Sequence, residues 1–489
     1  MAVVVAGGGI TGLSAAWELA RAGIAVELYE ASDRLGGKIR TQRVDGFLLE
    51  DGPDSFVSYR PAAAALAREL GLGGDIIGTT DPRIVHIRTG GRFVPLPDGI
   101  GLVLPTRLAP FLATRLFSPL EKLAMARDLV LPRSPAAEDV SIGWFLRRRL
   151  GRALVARLGD PLIGGIYGAS VDELSLDAVV PQLRTAEREH RSLLLASLAQ
   201  GRARARAAAA STAATSGSPA GATSPGPAGT STARRSPFLS LRAGMGSLID
   251  ALAARLAEDP NVRIRLGVGV TEVRRDSGGL SARLSDGTTV RADAVVLAGP
   301  TRASAAALAD LVPAAGPELL GIPHGSTAVV NLAYRADQLA ELPGHGFLVA
   351  RDEPLTFGAC TWSSAKWEDR APDGMVLARA FLGERSPGLL GRPDDEVAAA
   401  VHTDLARITG IRGGPVLSRV SRWVDAMPRY TLGHLGRVAQ LDEAMRAVPD
   451  VVVTGAALRG VGVPDCVEQG RAAARRIAAV LGGTVTAAA

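Results

Sequence analysis

Ala2-Val3-Val4-Val5-Ala6-Gly7-Gly8-Gly9-Ile10-Thr11-Gly12 opens the chain, and Ala25-Val26-Glu27-Leu28-Tyr29-Glu30 follows it after one amphipathic stretch. The run Ala2 to Ala6 is short, apolar and β-branched, the composition of a parallel strand buried on both faces. Leu13 to Ala22 has helical spacing, and Ala25 to Glu30 reads as a second strand, so the segment predicts a Rossmann βαβ unit. Gly7, Gly9 and Gly12 place G-x-G-x-x-G between strand and helix. The first glycine permits a tight turn, the second lets backbone approach a pyrophosphate, and the third lets helix and strand pack closely; the helix N-terminus stabilises the anion. Glu30, at the end of the second strand, is placed to bond ribose hydroxyls and disfavours the extra phosphate of NADP. It does not separate NAD from FAD.

That separation comes from Arg34-Leu35-Gly36-Gly37-Lys38, which supplies a second close backbone approach flanked by cations and points to FAD. Glu50-Asp51-Gly52-Pro53-Asp54-Ser55 offers another tight approach, expected to face the flavin ring. Near the other end, Thr454-Gly455-Ala456 closes a strand, and Arg459 to Gly470 leads into a helix whose amides face the flavin or a phosphate; the alternative is a plain capped helix with Asp465 as N-cap.

The pattern from Arg60 to about Glu189 is mostly helical. Gly201 to Pro237 is Ala, Arg, Ser, Thr, Gly and Pro with almost no large apolar side chain, and is expected to be a disordered insert. Val262 to Val273 and Val290 to Ala298 return as strands, Ala328 to Leu382 is strand-rich, and Val451 to Thr454 precedes a helix over Val467 to Leu481. The expected fold class is α/β, with an α+β substrate part: a discontinuous Rossmann-like FAD-binding domain (1–75, 238–299 and 425–489), a helical domain (80–200), the insert (201–237) and a β-rich substrate domain (300–424).

With 489 residues, 47% of them hydrophobic and 21% charged, the chain has material for two or three packed domains. Net charge is +6, almost all from arginine, with lysine only at Lys38, Lys122 and Lys366. No nucleic-acid module is present, so acidic small molecules lead among partners. Cys360 and Cys466 form no C-x-x-C pair, the six histidines have no metal-ligand spacing, and no metal is expected. The start lacks a signal-peptide pattern, which predicts a cytoplasmic protein. Ile100 to Phe117 is cut by Pro105, Arg107, Pro110 and Arg115, so no transmembrane anchor is expected, while peripheral membrane contact stays open.

The ordered series Gly7 to Gly12, Glu30 to Arg40, Glu50 to Phe56, Gly165 to Gly168, Glu173 to Leu176, Glu187 to Leu194, Leu239 to Met245, Cys360 to Trp367, Arg422 to His434 and Gly460 to Gly470 resembles the porphyrinogen oxidases of the FAD-dependent amine-oxidase-like superfamily, closest to the bacterial coproporphyrinogen III oxidase branch. The resemblance implies FAD contacts at Gly7, Gly8, Gly9, Ile10, Thr11, Gly12, Glu30, Ala31, Lys38, Gly52, Pro53, Asp54, Ser55, Val270, Trp423, Val461, Gly462 and Val463. It implies substrate contacts at Arg83, as a propionate receptor, and at Tyr167, as an aromatic bordering the macrocycle. The stretch Gly165 to Ala169 departs from the family's order at Gly168-Ala169. No protein nucleophile is implied, because the flavin carries the redox chemistry. The family's reaction is the oxidation of a porphyrinogen to a porphyrin in three two-electron steps, with dioxygen as acceptor, hydrogen peroxide as co-product and transfer of the porphyrin to a ferrochelatase as a pathway inference. Cys360 to Trp367 resembles the coproporphyrinogen branch better than the protoporphyrinogen branch. Protoporphyrinogen IX oxidation, an FAD-dependent amine oxidase, and a flavin-free binding protein of the same architecture remain as alternatives.

Overall fold

The computed structural model describes residues 2–101, 103–134, 139–215, 236–342 and 344–482. Strand Ala2–Ala6 lies at the centre of a five-stranded parallel sheet in the order Val262–Leu266, Ala25–Glu30, Ala2–Ala6, Ala294–Leu297, Val451–Val453. Val3, Val4 and Val5 have no exposed surface, since helices and loops cover both faces. Helix Ile10–Arg21 starts directly after Gly9, three residues earlier than its apolar periodicity suggested, because Gly9 already has the extended backbone of an N-cap. It packs on helix Val463–Val480, where Gly470 leaves room for the Thr11 carbonyl. The latter helix also begins early, with Gly462 rather than Asp465 as N-cap and Pro464 in its first turn.

A second sheet of seven strands runs Leu417–Pro428, His324–Arg335, Met375–Leu382, Ala359–Trp362, Gly346–Val349, His86–Thr89, Arg92–Pro95. Its last hairpin comes from the segment read as helical: His86–Thr89 pairs in parallel with Gly346–Val349. Alternation over only four residues was too short a signal against the surrounding helical pattern. The expected boundary at residue 424 falls inside strand Leu417–Pro428, which carries Trp423.

The helical layer packs Phe111, Phe117, Phe145, Leu146, Leu158 and Leu183 into one core. Ser118 and Glu121 form a capping box, and Ser141 caps Ile142–Leu150 by accepting from the Trp144 amide at 3.1 Å. Fully buried Arg149 is matched by Asp128 at 3.2 Å and by Glu187. Helix Leu193–Thr215 continues this layer through 201–215, into the segment expected to be disordered; its alanine and arginine have high helix propensity, which the lack of large apolar residues obscured. The remainder of that segment, 216–235, lies outside the described residues. Among the described residues, no helix is long and apolar enough to cross a membrane.

Candidate functional site

One cavity of about 1570 Å³ runs from the carboxyl ends of the parallel strands to the second sheet. Ordinary ligand pockets hold roughly 300–1,000 Å³, so this one accommodates a dinucleotide and a second large molecule together.

Its first end is built on the glycine loop. Gly7 has φ +111°, and a side chain there would press on Ala298 and Gly299. A Cβ on Gly12 would strike the Gly7 carbonyl oxygen at 1.9 Å, whereas one on Gly9 would meet nothing within 4 Å and project into open space. Glu30 is anchored by the Gly8 amide, donating at 2.6 Å to Oε2, and by the Ser32 amide and hydroxyl, donating at 2.8 and 2.7 Å to Oε1. The second glycine turn sits on the first: the Gly36 amide donates to the Gly8 carbonyl at 2.8 Å, and Arg34 holds that turn by donating to the Gly37 and Leu35 carbonyls. Lys38 is exposed and lines the cavity, and the protein mass around it lowers its ammonium pKa by desolvation. Neither Arg34 nor Lys38 has a carboxylate within ion-pair distance among the described residues. An open backbone approach, a helix N-terminus and two unmatched cations fit a pyrophosphate-linked cofactor.

Of the sequence-derived cofactor residues, Gly7, Gly9, Ile10, Thr11, Glu30, Ala31, Lys38, Gly52, Pro53, Ser55, Val270, Trp423, Val461, Gly462 and Val463 line this cavity. Gly8, Gly12 and Asp54 are not among its lining residues. Gly8 serves the loop through Glu30, and Gly12 serves helix packing. The Asp54 carboxylate turns away to Lys366 at 2.9 Å, Arg379 at 3.7 Å and the Trp367 indole N–H at 3.1 Å. Burial alone would raise the Asp54 pKa; the two cations outweigh it and hold the carboxyl well below the usual range. Trp423 is fixed by its indole N–H, which donates to the Asp51 carbonyl at 2.7 Å.

Sequence reasoning missed Tyr430. Its hydroxyl donates to the Ala456 carbonyl at 2.7 Å and accepts from the Gly460 amide at 2.6 Å, pinning the turn that delivers Val461, Gly462 and Val463. His434 stacks on its ring at 3.9 Å and reaches the Leu458 carbonyl at 2.9 Å. Tyr167, expected beside the macrocycle, instead packs on Tyr430 at 5.5 Å in the core of the helical layer, and its neighbours Gly165, Ile166 and Gly168 line the cavity. Gly168 takes φ +58°, which explains a glycine at that position of the departing motif. Tyr430→Phe is expected to leave Gly460 N–H and Ala456 C=O unpaired, at about 1–3 kcal/mol each. FAD titration of the apoprotein should show roughly tenfold weaker binding than wild type.

At the second end the walls carry Arg83, Lys366, Arg379, Arg351, Arg385, His345 and Phe347. The Arg83 guanidinium and the Lys366 ammonium lie over the same Phe238 ring, at 5.2 and 5.9 Å. His345 bonds the Thr80 hydroxyl at 2.8 Å, and burial, then Lys366 and Arg83, lower its pKa, which favours the neutral ring. Burial pushes the Cys360 thiol up to about 12 and raises Cys466 as well, so neither supplies a thiolate.

The sequence profile of the flavin containing amine oxidoreductases matches residues 10–478. Over 482 residues the chain is 45% identical to the coproporphyrinogen III oxidase of Propionibacterium freudenreichii subsp. freudenreichii, covering 97% of this chain and 90% of that protein. It is 34% identical to the coproporphyrinogen III oxidase of Bacillus subtilis (strain 168), covering 96% of each. A crystal structure of a protein from Exiguobacterium sp. 255-15 superposes with TM-score 0.79 at 33% identity, over 97% of this chain and 98% of that one. With an FAD-shaped glycine cradle at one end of its cavity, the chain belongs to the flavin containing amine oxidoreductases.

Proposed function

We propose that the chain oxidises coproporphyrinogen III to coproporphyrin III in three two-electron steps. The observation that carries the reading is one continuous cavity, whose dinucleotide end runs into a chamber lined by Arg83, Lys366, Arg379 and Arg385 together with aromatic and aliphatic side chains such as Phe238, Phe347 and Leu348. Such a chamber fits a large, partly apolar polycarboxylate. FAD would be held against Gly7, Gly9, Ile10, Thr11, Glu30, Ala31, Lys38, Gly52, Pro53, Ser55, Val270, Trp423 and Val461 to Val463, with Gly8, Gly12 and Asp54 shaping the loops behind them, and would supply the electron acceptor, with dioxygen as the final oxidant and hydrogen peroxide as co-product.

The protein's own part is to bind, orient and exclude water. Arg83 receives a carboxylate of the substrate. The Asp54–Lys366–Arg379 cluster holds the Gly52 to Ser55 loop in place behind the cofactor end. Burial keeps both thiols protonated and favours neutral His345, so none of these three side chains is an activated nucleophile, in keeping with redox chemistry carried by the cofactor. The same reading places the enzyme in the cytoplasm and hands its porphyrin to a ferrochelatase-type enzyme.

The test is porphyrin fluorescence growth in air, with the purified holoprotein and coproporphyrinogen III or protoporphyrinogen IX in parallel, autoxidation subtracted. Faster turnover of coproporphyrinogen is expected. Preference for protoporphyrinogen, or no turnover of either by flavin-loaded protein, would overturn the proposal.

A further inference from the structure

Resting on that reading, we infer that Arg385 is the specificity residue that selects coproporphyrinogen over protoporphyrinogen, by receiving a carboxylate on the edge of the macrocycle where protoporphyrinogen carries vinyl groups.

The cavity-lining cations divide by what neutralises them. Lys366 and Arg379 share Asp54, and Arg351 is paired with Asp160 at 3.0 Å. Among the described residues, Arg34, Lys38, Arg83 and Arg385 have no carboxylate within ion-pair distance. The first two stand at the dinucleotide end, leaving Arg83 and Arg385 for the substrate chamber.

These two mark opposite ends of one strand. Arg83 lies beside His345, immediately before Gly346–Val349, and its charge lowers the His345 pKa. Arg385 lies past the other end, donating to the Val349, Ala350 and Glu353 carbonyls at 2.9, 2.7 and 3.1 Å. From His345 to Ala350 is five residues, about 16 Å of extended chain. A tetrapyrrole with carboxyethyl arms on opposite edges spans such a gap.

The two ends differ in charge. Lys366 and Arg379 stand with Arg83, with Asp54 behind them, so that end remains cationic. Around Arg385 stand Asp160, Asp352, Glu353 and Glu384: Asp160 is engaged with Arg351, Glu353 with Arg88 at 3.4 Å and Glu384 with Arg429 at 2.5 Å, while the exposed Asp352 acts on Arg385 only from beyond ion-pair distance. The guanidinium of Arg385 is partly buried on carbonyls alone, and its burial lowers its pKa. An incoming anion is the compensation it lacks.

Both candidate substrates carry two propionates on one edge; coproporphyrinogen has two more on the other. Protoporphyrinogen puts its only carboxylates at the cationic Arg83 end, which brings vinyl groups against Arg385 and leaves that charge desolvated and unmatched. Coproporphyrinogen gives each end a counter-ion. Discrimination then comes from an unpaired, partly buried charge against the wrong substrate as much as from attraction to the right one.

The experiment compares wild type, Arg385→Gln and Arg385→Lys as holoenzymes, with flavin content and melting temperature recorded for each. Kinetics use coproporphyrinogen III and protoporphyrinogen IX, and coproporphyrin III and protoporphyrin IX are titrated for binding. In Arg385→Gln, kcat/KM for coproporphyrinogen should fall roughly 10- to 100-fold through KM, as expected for a lost charged hydrogen bond, while that for protoporphyrinogen holds or rises. Coproporphyrin binding should weaken in parallel, and Arg385→Lys should recover part of the loss. Parallel losses on both substrates, or an unchanged preference, overturn the role of Arg385 while leaving the proposed function standing. A wild type that oxidises neither substrate overturns both.

Discussion

Gly9→Val should yield a folded, colourless protein: FAD affinity falls by on the order of 1000-fold, because backbone approach to the pyrophosphate is blocked, while the apoprotein's melting temperature stays within about 4 °C of the wild-type value. The expectation rests on the surroundings of Gly9, whose absent side chain points at nothing within 4 Å and whose backbone, φ −72° and ψ 172°, suits any residue. A valine there meets no neighbour at its Cβ, costs the empty fold about 1 kcal/mol as a poorer N-cap than glycine, and fills the space the pyrophosphate needs. Gly12→Val is the matched control with the opposite signature. Its Cβ would meet the Gly7 carbonyl oxygen at 1.9 Å, a backbone atom that cannot step aside, so the apoprotein itself should lose about 1–3 kcal/mol or more. Flavin absorbance after gel filtration and thermal melts of both apoproteins check the pair. Retained yellow colour in Gly9→Val would remove the cofactor from this loop.

The contrast shows what could be read locally. Val3 to Val5, the glycines and Glu30 are contiguous, and their physics is settled within thirty residues: a strand apolar on both faces, a turn, a helix start. The carrier of the second cation set was not legible in that way. Lys366 meets Asp54 across 312 residues of sequence, and each alone reads as an ordinary surface charge. Tyr430 and Tyr167 were likewise beyond local pattern, since only the docking of strand Leu417–Pro428 and the helical layer decides which tyrosine serves the loop and which fills the core. Arg385 is one arginine among many in an arginine-rich chain, and its distinction, a guanidinium bonded only to carbonyls, exists solely in three dimensions. The helix over 201–215 failed for a different reason: low apolar content was weighed above the helix propensity of alanine and arginine.

Asp54→Asn is expected to destabilise the protein by about 3–5 kcal/mol at neutral pH, the usual effect of removing one member of a buried ion pair. The carboxylate is enclosed by Lys366, Arg379, Trp367 and Ser55, and its neutralisation leaves two enclosed cations facing one another. The pH dependence identifies the cause. A carboxyl held below its unfolded value of about 3.9 stabilises the fold at all pH above that value, and the contribution is lost as pH falls through the folded pKa. The stability difference between wild type and Asp54→Asn should therefore be flat from neutrality down to about pH 4 and shrink below it. Because Lys366 and Arg379 are then the source of the strain, Asp54→Asn combined with Lys366→Met should be less unstable than the sum of the two single changes. Urea midpoints across pH supply both readings. The loop Gly52 to Ser55 forms part of the cofactor wall, and Arg379 also donates to the Glu50 carbonyl at 3.0 Å and to the Gly52 carbonyl, so the same substitution should weaken FAD retention. A stable Asp54→Asn protein with full flavin would mean that the loop is held by its backbone contacts alone, and that the ion cluster serves only the substrate chamber that Lys366 and Arg379 also line.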